Sequence, residues 1–202
     1  MITLVSTRLI ENETYPELRD GLSHDWGIFF DYFGLLPILI PNSMADPTKY
    51  FNLNPSGLIL TGGDDIGLSS EPTQRDRTEF LLIETAIKCG LPILGVCRGL
   101  QILNRYFGGD NALIEDKSHV GNHEVKINEN QIIEVNSFHD QAVTRDTLAR
   151  DLISFAEGLD GVIEGVKHSK LPIIAVQWHL ERCSTSIEFD RKIINDWINL
   201  CA

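Results

Sequence analysis

The segment Gly95-Val96-Cys97-Arg98-Gly99 sets a cysteine between two glycines, after the apolar run Pro92–Val96 and before a helical pattern, Gly99–Phe107. Strand, tight turn and helix in that order make a nucleophile elbow, which thrusts one side chain off the carboxyl end of a sheet. Glycines two residues to either side leave room for neighbouring backbone. The helix start aims N–H groups and the positive end of its dipole at the sulfur, an arrangement that favours thiolate. Cys97 is therefore the candidate nucleophile.

A nucleophile of this kind needs a base, an orienting acid and donors for a developing oxyanion. Ile173–Arg182 reads IIAVQWHLER, an apolar strand ending in Trp178, His179 and Glu181. Residues two apart at a strand end point to one side, so Glu181 can hold one tautomer of His179 while His179 faces the thiol. Thr61-Gly62-Gly63-Asp64-Asp65 is a second glycine-rich turn after a strand. It can offer a backbone N–H to an oxyanion, with the N–H of Arg98 as the second donor.

Each segment alone has a plainer reading: a small buried cysteine, a surface His–Glu pair, an ordinary tight turn. Together they describe nucleophile, base, acid and oxyanion hole. His119-x-x-x-His123 is spaced like a ligand pair, but Gly121 weakens a helical site and no third ligand is evident, so no metal or other cofactor is expected. Cys89, Cys97, Cys183 and Cys201 show neither CxxC pairing nor the density of a disulfide scaffold.

The elements that must position these residues follow from periodicity. Strands are expected at Met1–Ser6, Leu36–Pro41, Gly57–Thr61 and Pro92–Val96, and helices at Tyr15–Phe33, Arg75–Lys88 and Gly99–Phe107. That alternation predicts a mostly parallel sheet covered on both faces, a three-layer α/β/α arrangement. After Gly109 the rhythm changes. Glu124–Ile127, Ile132–Asn136, Leu152–Ala156, Val162–Val166 and Ile173–Gln177 follow without long helices between them, which suggests antiparallel additions, and Ile187–Leu200 reads as a closing helix.

The chain has 202 residues, suited to one domain, and shows no repeat or linker that would divide it. Its formal charge of −12 argues against binding a nucleic-acid polymer, which relies on Lys and Arg. No apolar run approaches the ~20 residues of a membrane span. The first residues turn polar too soon for a signal peptide, so a cytoplasmic location without membrane attachment is expected.

In this order the segments GLILTGGDD, RDRTEFLLIETAI, PILGVCRGLQILNRYFGGD, HEVKI, VNSFHDQAV, DGVIEGV and AVQWHLE resemble the class I glutamine amidotransferase-like superfamily. Within it they are most similar to the γ-glutamyl hydrolase branch, which includes γ-glutamyl-γ-aminobutyrate hydrolases. The resemblance implies the flavodoxin-like fold of that superfamily, a Cys97–His179–Glu181 triad, oxyanion donors at Gly63 and Arg98, and a small-molecule γ-glutamyl amide substrate. It implies that Gln101, Asn136, Ser137, Phe138 and His139 grip the glutamyl head. The family motif usually reads Trp-His-Pro-Glu; Leu180 stands in place of the proline, an exchange that frees the turn but removes no catalytic group. Thr7–Trp26 is similar to a smaller subgroup that hydrolyses a γ-glutamyl amide of cytidine diphosphate in capsular-sugar synthesis, through Arg8, Tyr15, Arg19 and Trp26. Arg8 and Arg19 thereby become candidates for an anionic leaving group.

Two other readings stay open. One is a glutaminase subunit that supplies ammonia to a separate synthase partner. The other is a non-catalytic redox or regulatory module. A homodimer is also left open.

Overall fold

The computed structural model describes residues 1–66, 71–113, 120–129, 131–182 and 187–201. The chain opens with β1 (Ile2–Ser6), followed by a hairpin of β2 (Arg8–Glu11) and β3 (Leu18–Gly21) that stands off the main sheet. Next come α1 (His24–Tyr32), β4 (Leu36–Ile40) and β5 (Gly57–Leu60), then α2 (Gln74–Lys88), β6 (Ile93–Val96) and α3 (Arg98–Tyr106). The short β7 (Ala112–Leu113) precedes β8 (Val120–Asn128), β9 (Gln131–Phe138), β10 (Gln141–Thr144), β11 (Leu152–Gly158), β12 (Val162–His168) and β13 (Ile173–Val176). The helix α4 (Ile187–Leu200) follows.

The main sheet runs β4-β1-β5-β6-β13-β12-β11-β8-β9. From β4 to β13 every pairing is parallel, and from β13 to β9 every pairing is antiparallel. Alternate strand residues serve opposite faces. Leu4, Leu58, Leu60 and Ile93 share a core with Leu82, Ile83 and Ala86 of α2 and Leu100 and Leu103 of α3. Val5, Ile59, Leu94, Val96 and Val176 pack with Trp26, Phe29 and Phe30 of α1 and Ile193, Ile194 and Trp197 of α4. The molecule is thus the three-layer α/β/α structure expected, with the antiparallel extension on one side.

One helix is shorter than its sequence pattern suggests. The stripe from Tyr15 to Phe33 becomes strand β3 followed by α1 alone. Tertiary bonds override the periodicity there: Asp20 accepts from Thr7 Oγ1 at 3.1 Å and from the Asn42 N–H at 3.1 Å, and the Leu9 N–H donates to Asp64 Oδ1 at 3.1 Å. Asp20 is thereby tethered to the ends of β1 and β4, and β2 pairs with β3 in register Arg8 to Gly21.

Candidate active site

Parallel pairing delivers the carboxyl ends of β1, β5, β6 and β13 to one edge of the sheet, where α/β folds place their ligands. In register, Leu60 pairs with Gly95, and Val96 pairs with Val176. Thr61-Gly62-Gly63, Cys97 and the Gln177-Trp178-His179 run therefore leave the sheet side by side.

Cys97 is the N-cap of α3 and adopts φ 54°, ψ −108°. A non-glycine residue at positive φ costs on the order of 1–3 kcal/mol and persists only where its surroundings enforce it. The two flanking glycines do so. A Cβ at Gly99 would lie 2.3 Å from the Leu60 carbonyl oxygen, and one at Gly95 would lie 2.8 Å from Gly99 backbone and 2.9 Å from Ala175 Cβ. Strand and helix approach too closely for any side chain at either position. The Cys97 N–H donates to the Val176 carbonyl at 2.8 Å, so the elbow is tied to β13.

His179 and Glu181 are buried beside it, with His179 Nδ1 2.7 Å from Glu181 Oε1. The pairing does not arise on a strand, as the alternation argument supposed. β13 ends at Val176, and Glu181 lies in a 3₁₀ turn, Leu180–Arg182. Leu180 is buried in that turn, and Asn136 pins His179 by bonding both of its backbone groups. Burial pulls the His179 pKa down, but hydrogen bonds to Cys97 and Glu181 outweigh it and set the imidazole at about 9. A positively charged imidazolium beside the sulfur is thus favoured at neutral pH.

Beneath the Gly62-Gly63 turn lies a buried ion network. Arg75, fully buried, donates to Glu79 Oε1 at 2.9 Å, to Asp64 Oδ1 at 2.6 Å and to the Thr61 and Gly62 carbonyls. The Arg98 side chain pairs with Glu79 and Asp76. Asp76 also closes a capping box with Thr73 at the start of α2. Burial would raise the Asp64 carboxyl, but Arg75 and Arg98 hold it below its ordinary value. Gly63 sits at φ 136°, and a Cβ there would meet Arg8 Cβ at 2.7 Å and Arg75 Nη1 at 2.8 Å. The network thus braces the Gly62-Gly63 turn, which lines the Cys97 cleft. Arg75, Asp76 and Glu79 were not foreseen as site residues. Their signal was charge at helical spacing on the same helix as the apolar stripe Ile83–Ile87.

The cleft itself has a volume of ≈ 170 Å³ and is lined by Gly62, Gly63, Cys97, His179, Glu181 and Trp26, with Arg8, Phe138 and Arg182 among the rest. Trp26 serves both readings, since it also stacks in the core 5.5 Å from Phe30. Of the segment expected to grip a glutamyl head, only Phe138 lines the cleft. Gln101, Ser137 and His139 are buried. Gln101 Nε2 donates to the Gln141 carbonyl at 2.8 Å and lies 3.4 Å from Gln177 Oε1, while Gln177 Nε2 lies 3.7 Å from Cys97 Sγ. His139 Nδ1 lies 3.0 Å from the Gln141 carbonyl. Gln177 and Arg182, the neighbours of the Trp-His-Leu-Glu run, were missed. Asn136 bonds both backbone groups of His179 and does not line the cleft. Arg19 is also placed elsewhere: it is exposed and bonds Glu17 at 2.6 Å and Tyr15 at 2.8 Å, outside the cleft.

Among the described residues no group of three His, Cys, Asp or Glu side chains gathers as a metal site, and no helix is long and apolar enough to cross a membrane. His123 lies 3.2 Å from Glu164; His119 and Cys183 lie outside the described residues.

Fold and cleft define a class I glutamine amidotransferase-like enzyme, and the chain belongs to the Peptidase C26 family, whose model matches residues 20–181. It is 32% identical to the γ-glutamyl-CDP-amidate hydrolase of Campylobacter jejuni, covering 97% of this chain and 96% of that protein. It is 31% identical to a putative glutamine amidotransferase-like protein of Lactococcus lactis, covering 98% of each. Among solved structures, a putative GMP synthase component from Thermoplasma acidophilum superimposes with a TM-score of 0.74 at 20% identity, covering 100% of this chain and 94% of that one.

Proposed function

We propose that this chain hydrolyses a γ-glutamyl amide through a thioester on Cys97. The observation that carries the reading is the buried line from Glu181 Oε1 through His179 to Cys97, with Cys97 held at positive φ as the N-cap of α3. The sulfur attacks the γ-carbonyl carbon, and the oxyanion is received by the N–H groups of Gly63 and Arg98. His179 delivers a proton to the departing amine as the C–N bond breaks. It then takes a proton from water, which attacks the thioester and releases glutamate. Glu181 keeps the imidazole oriented and offsets its charge.

The glutamyl head is assigned to the side of Gln101, Ser137 and His139, whose present bonds within the protein would be exchanged for bonds to substrate. The similarity to the C. jejuni hydrolase supports γ-glutamyl-CDP-amidate as the substrate, with γ-glutamyl-γ-aminobutyrate the comparison to make. Arg8 on the rim agrees with an anionic leaving group. A glutaminase that feeds a separate synthase is the second reading, favoured by the likeness of the fold to a putative GMP synthase component.

Glutamate release by the isolated chain separates them. The expected order of kcat/KM places the nucleotide amide first, γ-glutamyl-γ-aminobutyrate lower and free glutamine last, since contacts to the leaving group help position the carbonyl. Glutamine turned over as well as the larger amides would favour the ammonia-supplying glutaminase. Inactivity toward all of them would favour a redox or regulatory module.

A further inference from the structure

Arg182 follows the acid of the proposed triad directly, and its surroundings are unusual for an arginine. Its guanidinium carbon lies 4.7 Å from the centre of the Phe138 ring, and that ring meets the His179 ring edge-on at 6.0 Å, so Phe138 stands between Arg182 and His179. Phe138 is half exposed, although it neighbours the catalytic cysteine's pocket. Arg182 Nε is buried and makes no hydrogen bond among the described residues. Its nearest carboxylates, Asp25 Oδ2 and Glu181 Oε1, each stand 3.9 Å away, at the limit of an ion pair.

Arg8 approaches from the hairpin and packs close against Gly63. It is exposed, lines the same cleft, and its guanidinium has no ion pair or hydrogen bond among the described residues. Two cations without close partners at one mouth stand out in a chain of formal charge −12. The hairpin is held to the oxyanion turn through one atom: Asp64 Oδ1 accepts from both the Leu9 N–H and Arg75 Nη1. Arg8 is therefore placed relative to the reacting carbonyl rather than on a free arm.

We infer that Arg182, held over the Phe138 ring, and Arg8 form a clamp for a phosphoryl group on the leaving side of the scissile amide. The inference rests on the γ-glutamyl hydrolase reading and adds the residue that selects the leaving group. A guanidinium laid on an aromatic face keeps its plane and its N–H edge in one orientation, which suits bidentate contact with phosphate oxygens. Arg182 would exchange its distant carboxylates for that contact. Its position beside the base puts the phosphoryl group where the nitrogen of the departing phosphoramidate must accept a proton.

The test compares kcat/KM for γ-glutamyl-CDP-amidate with that for γ-glutamyl-p-nitroanilide, whose leaving group is uncharged, and measures CDP binding by calorimetry. Arg182→Gln should lower the ratio of the two kcat/KM values by roughly 10- to 100-fold and weaken CDP by a similar factor, the scale of one charged hydrogen-bond pair. Arg182→Lys should recover only part, since it restores charge but not the planar fork. Arg145→Gln, a change at an exposed arginine paired with Glu157 on the antiparallel side, should leave the ratio as it is. Equal losses on both substrates would make Arg182 a structural residue and overturn the clamp. An active wild type that does not prefer the nucleotide amide overturns it too, while sparing the hydrolase. A wild type inactive on both substrates removes the hydrolase reading itself, and CDP binding insensitive to Arg182 then removes the clamp separately.

Discussion

The side-chain amide of Asn136 spans the backbone of His179, accepting from its N–H at 2.9 Å and donating to its carbonyl at 3.0 Å. A strand in the antiparallel part of the sheet thus fixes a residue that leaves the parallel part. Asn136→Ala strips both partners from buried groups, each worth about 1–3 kcal/mol when left unsatisfied. The expected outcome is a large fall in kcat with a smaller change in KM, together with a lower midpoint in urea denaturation. A change in KM alone would mean that Asn136 binds substrate directly.

Gly62 provides a sharper probe of geometry. A methyl group there would sit 2.8 Å from His179 Cε1 and 3.3 Å from Cys97 Cβ. Gly62→Ala should push the imidazole aside and lower kcat by about 10²-fold, the usual penalty for a displacement near 1 Å. Thermal unfolding should change far less than activity, because the residue lies at the edge of the cleft.

Cys97→Ala and Cys97→Ser should abolish turnover, whereas Cys89→Ala and Cys201→Ala should retain most of it. Cys89 closes α2 on the surface, and burial pushes the Cys201 thiol up to about 12, leaving it unreactive at neutral pH. Alkylation that substrate protects against should map by mass spectrometry to Cys97. Protection at another cysteine would overturn the assignment.

The charge of His179 makes stability depend on pH. Its pKa rises from an ordinary 6.5 to about 9 on folding, so the folded state binds the proton more tightly. The resulting stabilisation is fully present below pH 6.5 and is lost as pH climbs through about 9; it amounts to a few kcal/mol on the scale of ~1.4 kcal/mol per unit. Cys97→Ala removes the first of the contacts that raise it. Urea midpoints measured from pH 6 to 10 should therefore slope downward in the wild type and less so in the variant. Hydrolysis should also fall above about pH 9, as the imidazolium that protonates the amine disappears.

Glu79 joins the two buried arginines, Arg75 and Arg98. Glu79→Ala should cost about 3–5 kcal/mol, because it leaves buried guanidinium groups without their shared carboxylate. Chemical denaturation measures the loss, and a cost below about 1 kcal/mol would show that Asp64 and Asp76 neutralise the pair without Glu79.

Local order in the chain was enough to single out Cys97, His179 and Glu181, which the structure brings together. Strand, Gly-x-Cys-x-Gly and helix dictate an elbow because only glycine tolerates the close approach that Gly95 and Gly99 make to each other and to Leu60. The alternation of apolar strands and helical stripes likewise determined the parallel half of the sheet, since burial on both faces leaves little choice. What spacing could not decide was how remote segments share bonds. The pattern over Tyr15–Phe33 is helical in period, yet Asp20 gains more from Thr7 and Asn42 than from a helix, so half of it became the hairpin that carries Arg8. Asn136 and Gln101 were recognised as polar groups near the site, but their partners lie at residues 179 and 141, too distant in sequence for any local pattern to reveal. Arg19 and Arg182 show the same limit in opposite directions. Both are arginines on short, polar segments, and only the packing of Phe138 against His179 put Arg182 at the cleft while Glu17 and Tyr15 kept Arg19 away.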